Sequence, residues 1–415
     1  MNSMRGITGG EVGSTARMVV ADSGPPLVWK FGGTSVADHD RLRAVAERMV
    51  HAQRSGRGVV AVLSAMAYQM SARPPLRELD ALLSVGESIS VALASMAVAE
   101  LGGRAVSLSG LQAGIWTDGQ HGNARLRDVR PQRIHSALAD GSIVLVTGFQ
   151  GQSASGDVTT LGRGGSDASA VAVAAALGAT ECEIFTDVPA VFTADPRVVP
   201  EARPLESLRH EEMLELAEAG AAVIQSRSIE LAVAHGIDIH LRSSFTDAEG
   251  TWIRHERAGF ESAGSRDGSY PVAGIAFRRH ESLHTVKDLD VADLAVALAE
   301  RGVTLGAVLP AVAGPRFTTP GVPRTEVAAA LDAVGASMAE DEDLGSVSVV
   351  SLGIARRPDI VVAALAALRD AAIEPRLVTT TPGRVSVLVA SAQVDDTVRL
   401  LHSTFIPATP IPAPV

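Results

Sequence analysis

Lys30 lies near the end of the apolar run Val28–Phe31, one residue short of the turn Gly32-Gly33-Thr34-Ser35. Of the 36 Lys and Arg residues only two are lysines, Lys30 and Lys287. A compact ammonium on a flexible stem can follow a moving phosphoryl group, whereas the guanidinium fork is planar and larger. The two glycines let backbone come close to a ligand, and Thr34 or Ser35 can cap a following helix. A helix start with open N–H groups attracts phosphate. The lysine precedes the glycines, so this is not the Walker arrangement. Spacing alone also fits an ordinary strand–helix turn.

Two further stretches carry candidate chemistry. Thr159-Thr160-Leu161-Gly162-Arg163-Gly164-Gly165-Ser166-Asp167 opens an apolar helix with glycines and hydroxyls. Arg163 can hold a carboxylate through two parallel bonds. Asp167 is either a plain helix cap or a working carboxylate. Phe185-Thr186-Asp187 leads through Pro189-Ala190 to Phe192-Thr193-Ala194-Asp195-Pro196-Arg197. Strand, tight turn and Asp-Pro-Arg suit a loop over a nucleotide, though Asp-Pro is also a common turn.

These stretches need elements to hold them. Val28–Phe31, the helical spacing of Leu42, Val45, Ala46, Met49 and Val50, and Val59–Ser64 make a βαβ unit, which implies a parallel sheet. At a strand's C-terminal end in such a sheet, Lys30 points into the crevice where ligands bind. Leu82–Leu101, Ala168–Ala179, Leu205–Glu218 and Ala221–His235 read as helices. Ala105–Leu108, Ser142–Thr147, Glu183–Thr186 and Ile237–Leu241 read as strands. The segment 27–250 is thus an α/β domain after a loose tail at 1–26, with a linker at 251–270. Beyond it, strand Val272–Phe277 and helix Val291–Arg301 suggest a first small α+β unit over 271–340. Val347–Leu352, Ile360–Ala371, the hairpin Arg376–Thr380 and Val385–Ala390, and Val394–His402 form a second over 341–405, in ferredoxin-like order. Residues 406–415 are a Pro-rich tail.

Composition sets limits. The 415 residues, 46% hydrophobic and 3% aromatic, call for cores of Ala, Val and Leu. A net charge of −11 argues against nucleic acid or an anionic membrane as main partner. The single cysteine, Cys182, permits no internal disulfide and reads as a small buried hydrophobe. No apolar run approaching a membrane span is apparent, and residues 1–26 lack a signal-peptide core. A soluble cytoplasmic protein is expected.

Taken as a set, KFGGTSVAD (Lys30–Asp38), VLSAM (Val62–Met66), RELDALLSVGE (Arg77–Glu87), LQAGIWTDGQHGNAR (Leu111–Arg125), GFQG (Gly148–Gly151), TTLGRGGSD (Thr159–Asp167), FTDV and FTADPR (Phe185–Arg197) and IHLRSSF (Ile239–Phe245) closely resemble the aspartokinases of the amino-acid-kinase superfamily. The resemblance implies a three-layer α/β/α kinase domain with two ACT-like units behind it. It implies transfer of the γ-phosphoryl of MgATP to the side-chain carboxylate of aspartate. Lys30 and Asp167 would be catalytic. Glu87, Arg163, Ser166 and Thr34 would hold the acceptor. Gly32, Gly33, Ser35, Thr186, Asp187, Phe192, Asp195 and Arg197 would line the nucleotide site. Mg2+ would be held mainly by phosphates and water, without a dedicated protein cage. A homodimer or larger homo-oligomer through the ACT-like units would follow.

The chain departs from the family pattern at four places. A Thr-rich turn is shortened around Ala67–Arg73. Pro189-Ala190 replaces Asp-Gly. Ala222 stands where a phosphate-reaching lysine is typical. Arg357-Pro358-Asp359 and Val286-Lys287-Asp288-Leu289-Asp290 stand where the Pro-Gly turns at which effectors dock are typical, which implies weak or absent feedback by lysine and threonine. Two alternatives therefore stay open: a kinase with a different acidic acceptor, and a non-catalytic partner that pairs with an active kinase. His121 lies in a Gly-rich loop and reads as structural or solvated.

Overall fold

The computed structural model describes residues 25–36, 39–64, 75–221, 223–255, 272–287, 289–311, 314–336 and 338–406. The N-terminal unit runs β1 (Leu27–Phe31), a short 3-10 turn at Gly33–Val36, α1 (His39–Arg54), β2 (Val59–Leu63), α2 (Leu76–Glu100) and β3 (Ala105–Leu108). It continues through β4 (Ile115–Thr117), β5 (Leu126–Val129), α3 (Gln132–Ala139), β6 (Ile143–Thr147), β7 (Gln150–Gln152), β8 (Val158–Thr160), α4 (Gly165–Ala176) and β9 (Glu181–Thr186). It closes with β10 (Ser207–Arg209), α5 (His210–Glu218), α6 (Ser226–His235), β11 (Asp238–Ser243) and β12 (Thr251–Arg254).

Eight strands form one sheet in the order β10-β12-β11-β9-β1-β2-β6-β3. Every neighbouring pair is parallel except β11 with β12. Alternation along the strands splits the core into two layers. Trp29, Phe31, Ala61, Leu63, Leu145 and Phe185 meet α1 and α2 on one face. Val28, Val60, Val62, Val146, Ile184, Ile239 and Leu241 meet α4, α5 and α6 on the other. The expected α/β/α layering is therefore present. A second sheet, β5-β4-β7-β8, lies outside the main one and went unread in the sequence because its strands have three or four residues.

Several boundaries of the N-terminal unit differ from expectation; α2, for one, begins at Leu76 and not at Leu82. Leu205–Arg209 is not helical. The Glu212 carboxylate accepts the Arg209 backbone N–H at 2.9 Å, and this capping box fixes the start of α5 at His210. The next helix starts at Ser226 and not at Ala221, because Gly220 takes φ +114° where its bare Cα lies against the Phe277 carbonyl. Thr251–Arg254, expected in a linker, is a strand. The Thr251 hydroxyl donates to the Leu205 carbonyl at 2.6 Å and accepts from Val191 N–H at 2.9 Å. Among the described residues α2 is also apolar and long enough to cross a membrane, a longer run than the sequence reading credits. Yet it buries Asp80 and Glu87 on its inner face, as a helix packed on protein does.

The C-terminal part comprises β13 (Gly274–Val286), α7 (Val291–Glu300), β14 (Val308–Leu309), β15 (Arg316–Pro320), α8 (Arg324–Asp332), β16 (Met338–Val350), α9 (Pro358–Asp370), β17 (Leu377–Thr380), β18 (Arg384–Ala390) and α10 (Val394–Phe405). All six strands share one antiparallel sheet in the order β14-β15-β13-β16-β18-β17. The first half of β13 pairs with the end of β16, beside β18. Its second half pairs with β15. The two small units are therefore interleaved through β13 and β16, not laid end to end with a boundary at 340. A break in register between Arg278 and Glu281 separates the halves. The polar run Arg278-Arg279-His280-Glu281 at that break is what made the strand look shorter in the sequence.

Candidate active site

Lys30 shares a strand face with Val28, and that face is covered by α4. Its side chain consequently points at the first turn of α4, where Asp167 sits. The ammonium and the carboxylate meet at 2.6 Å, and both side chains are about nine-tenths buried. Asp167 is no helix cap: Gly164 holds the N-cap position at φ +68°. The N-cap makes no side-chain hydrogen bond to α4's first turn, and the Gly165 N–H donates to the Gly162 carbonyl at 3.0 Å. Gly148, after β6, lies so close to this turn that a Cβ there would stand 2.8 Å from the Ser166 hydroxyl. Ser166 itself is buried against it.

The C-terminal ends of the central strands line up around this pair. Gly32 N–H donates to the Phe185 carbonyl at 3.3 Å, Ser64 to Phe31 at 3.1 Å, Gly148 to Leu63 at 3.1 Å and Ser244 to Thr186 at 2.8 Å. A Cβ on Gly32 would lie 3.5 Å from the Lys30 ammonium. Gly33 belongs to the 3-10 turn and Thr34 is exposed on it, with its carbonyl accepting from Arg41. Neither Thr34 nor Ser35 caps α1, which starts at His39. The Ser35 hydroxyl is buried and shares a hydrogen bond with Ser244. It ties the turn to the end of β11 instead of facing a phosphate. Thr186 and Asp187 follow β9, next to Gly32, with the Thr186 hydroxyl on the Asp187 carboxylate at 3.1 Å.

Asp195 and Arg197 stand differently from expectation. The Asp195 carboxylate accepts the Arg197 guanidinium at 2.7 Å and its backbone N–H at 2.9 Å. That hydrogen bonding from Arg197 holds the Asp195 carboxyl below its ordinary range against the opposing effect of burial. The pair closes its own turn. Ala194, Val198 and Val199 beside it pack into the core of the C-terminal sheet, and Phe192 bridges to Pro204. This loop thus braces the two parts of the molecule, and Arg197 must release Asp195 to reach a ligand.

Arg163 stands exposed on the turn before α4, and Glu87 is buried on α2. Several residues that sequence reasoning passed over hold the turn that carries Arg163 in place. The Arg227 guanidinium donates to the carbonyls of Leu161 at 2.9 Å and Ala124 at 2.7 Å. Gln225 packs on Gly164 so tightly that a Cβ there would lie 2.1 Å from it. Phe149 takes φ +69°, unusual for a residue with a side chain, and its carbonyl accepts from Leu161. No local pattern announces these. His121 bonds the buried Asp80 at 2.9 Å, in keeping with its structural reading. Cys182 lies under the site, and burial, with Asp167 and Glu183 nearby, pushes its thiol far up, so it is inert. Ala222 and the Ala67–Arg73 departure lie outside the described residues.

Among the described residues no three His, Cys, Asp or Glu side chains come together as a metal cage. A parallel sheet, a glycine-opened helix start and a lysine–carboxylate pair at the strand ends are together the apparatus of a phosphoryl-transferring α/β kinase.

Comparison with known proteins agrees. The model of the amino acid kinase family matches residues 25–243, and the chain belongs to that family. Within it, its relatives are aspartokinases: that of Mycolicibacterium smegmatis is 42% identical over 407 residues, covering 91% of this chain and 96% of that protein. That of Geobacillus stearothermophilus is 38% identical over 402 residues, covering 91% and 97%. The crystal structure of E. coli aspartokinase III in complex with aspartate and ADP (R-state) shares the fold, with a TM-score of 0.76 over 91% of this chain and 99% of that one at 22% identity.

Proposed function

We propose that the chain phosphorylates the side-chain carboxylate of L-aspartate with ATP, giving 4-phospho-L-aspartate and ADP. The observation that carries this reading is the Lys30–Asp167 pair, held at 2.6 Å at the mouth of the parallel sheet. A carboxylate oxygen of the acceptor attacks the γ-phosphorus in line, and the bond to the β–γ bridging oxygen breaks, leaving ADP. The protein's part is placement and charge neutralisation. The Lys30 ammonium, oriented by Asp167, offsets charge on the oxygens of the group in transit. Backbone N–H groups at Gly33 and the start of α4 face phosphate oxygens, and Gly32, whose N–H is held by the Phe185 carbonyl, leaves room for them beside Lys30. Thr186 and Asp187 border the nucleotide. Arg163 holds the α-carboxylate of the acceptor, Glu87 its ammonium, and Ser166 lies beside them. Mg2+ enters with ATP and neutralises phosphate charge when bound. The family's relatives and the ACT-like sheet support a homo-oligomeric enzyme of the cytoplasm, with weak or absent feedback by lysine and threonine.

The test is ATP-dependent hydroxamate formation by purified protein across a panel of acidic amino acids. Aspartate should be the preferred acceptor, with ADP released in equal amount. Formation with glutamate or another acid alone would shift the acceptor, and none with any acid would remove the activity.

A further inference from the structure

We propose that Asp80 is a positioning residue that sets both arms of the acceptor site from one buried carboxylate. The inference rests on the reading above, in which Glu87 and Arg163 grip the acceptor's two charged ends.

Asp80 is fully buried on α2. Its oxygens accept the Gly122 backbone N–H at 3.0 Å, the Thr160 hydroxyl at 2.5 Å and His121 Nδ1 at 2.9 Å. A carboxylate taken from water costs several kcal/mol unless its lone pairs are met. Here two separate segments meet them, the His121-Gly122 loop and the end of β8. On the helix, residues seven apart lie on nearly the same face, so Asp80 and Glu87 share the buried side of α2. Thr160 ends β8, three residues before Arg163. The Gly122 loop packs on the same turn: Ala124 N–H donates to the Thr160 carbonyl at 2.8 Å, and a Cβ on Gly162 would lie 2.9 Å from the Asn123 side chain. Arg227 closes the far side of that loop on Ala124 and Leu161. Asp80 thus joins the helix carrying Glu87 to the turn carrying Arg163. The Lys30–Asp167 pair and the Thr186–Asp187 end of β9 are not among its partners. Its removal should therefore loosen the grip on the amino acid and leave the nucleotide side in place.

The test uses the full chain with Asp80→Asn, Thr160→Val and Thr160→Ser. In Asp80→Asn the amide puts a donor where only donors converge, so one of them loses its acceptor. The KM for aspartate should rise about tenfold or more while the KM for ATP stays within about twofold. Thr160→Val, which drops one donor, should show the same split at smaller size, and Thr160→Ser should restore it. Amide hydrogen exchange should quicken at Gly122 and across 161–165 in the first two variants, a readout independent of turnover. Equal rises in both KM values, or unchanged exchange and unchanged KM in a folded Asp80→Asn protein, would overturn the assignment. A wild-type protein inactive with aspartate would defeat the kinase reading instead, and the exchange pattern would still decide whether Asp80 links the two segments.

Discussion

At the scale of the residue, the argument turns on one ammonium. Lys30 keeps a short stem and a point charge in a chain that otherwise writes arginine, and Asp167 fixes where that charge sits. Lys30→Met should keep the fold, since the methionine stem fits beside the α4 turn, and should cut kcat by about a hundredfold or more, the range seen when one transition-state donor is lost. Lys30→Arg should also fail to restore full rate, because the planar fork cannot occupy the same point against Asp167. Steady-state kinetics on folded variants checks both; a Lys30→Met enzyme at wild-type kcat would sink the mechanism. Lys30, Asp167 and the glycines around them were legible because unusual residue types met unusual turns. Asp80 was half legible, lying in the same quoted stretch as Glu87. For Ser35 and Asp195 no sign of a nearer partner stands in the sequence, because a side chain's chemical capacity does not reveal what lies beside it: the structure sets Ser244 and Arg197 against them.

At the scale of the element, the kinase unit and the C-terminal sheet are stitched by α5, by the loop after Val191 and by α10. Arg384 on β18 meets Glu215 at 2.6 Å and Glu218 at 3.0 Å on α5. His402 on α10 shares a hydrogen bond with Thr193 at 3.0 Å. Burial, and then the nearby Arg203, pushes the His402 imidazole below its ordinary 6.5, while Glu201 pulls weakly the other way. A histidine depressed in the folded state binds fewer protons than in the unfolded chain. Its contribution is therefore whole above about pH 6.5 and is lost as pH falls through the depressed value. His210, buried against the Ile237 carbonyl, shifts the same way. Thermal unfolding should show Tm falling between about pH 7 and 5, and His402→Gln should flatten part of that fall while His210 maintains the rest. An identical slope in both proteins would show that the α10 contact does not titrate with folding. Long, regular elements such as α1, α2, α4 and the central strands were readable from period alone. The interleaving of β13 with β16 was not, because strand pairing between residues more than fifty positions apart leaves no trace in local pattern.

At the scale of the whole molecule, the question is whether the C-terminal sheet still senses an amino acid. In the second unit, α9 begins where an effector's charged group would need open backbone. There the Asp359 carboxylate occupies the first turn and is gripped by Arg357 through bonds of 3.0 and 2.8 Å. Hydrogen bonding from Arg357 holds that carboxyl below its ordinary range, so the plug stays anionic under working conditions. In the first unit, Asp290 caps α7 by accepting the Asp293 N–H at 2.8 Å, which likewise satisfies the helix start from within the chain. Side chains thus stand at both helix starts where close backbone approach would require glycine. Initial rates of aspartate phosphorylation should accordingly be unchanged, within about twofold, by millimolar lysine, threonine or both together. A ligand can shift an equilibrium only through a difference in its affinity for the two states, and a site closed in this way offers little to either. Sharp inhibition by either amino acid would show that Asp359 or Asp290 yields its place. Arg357→Gly with Asp359→Gly would then be expected to sharpen it further, by reopening the start of α9.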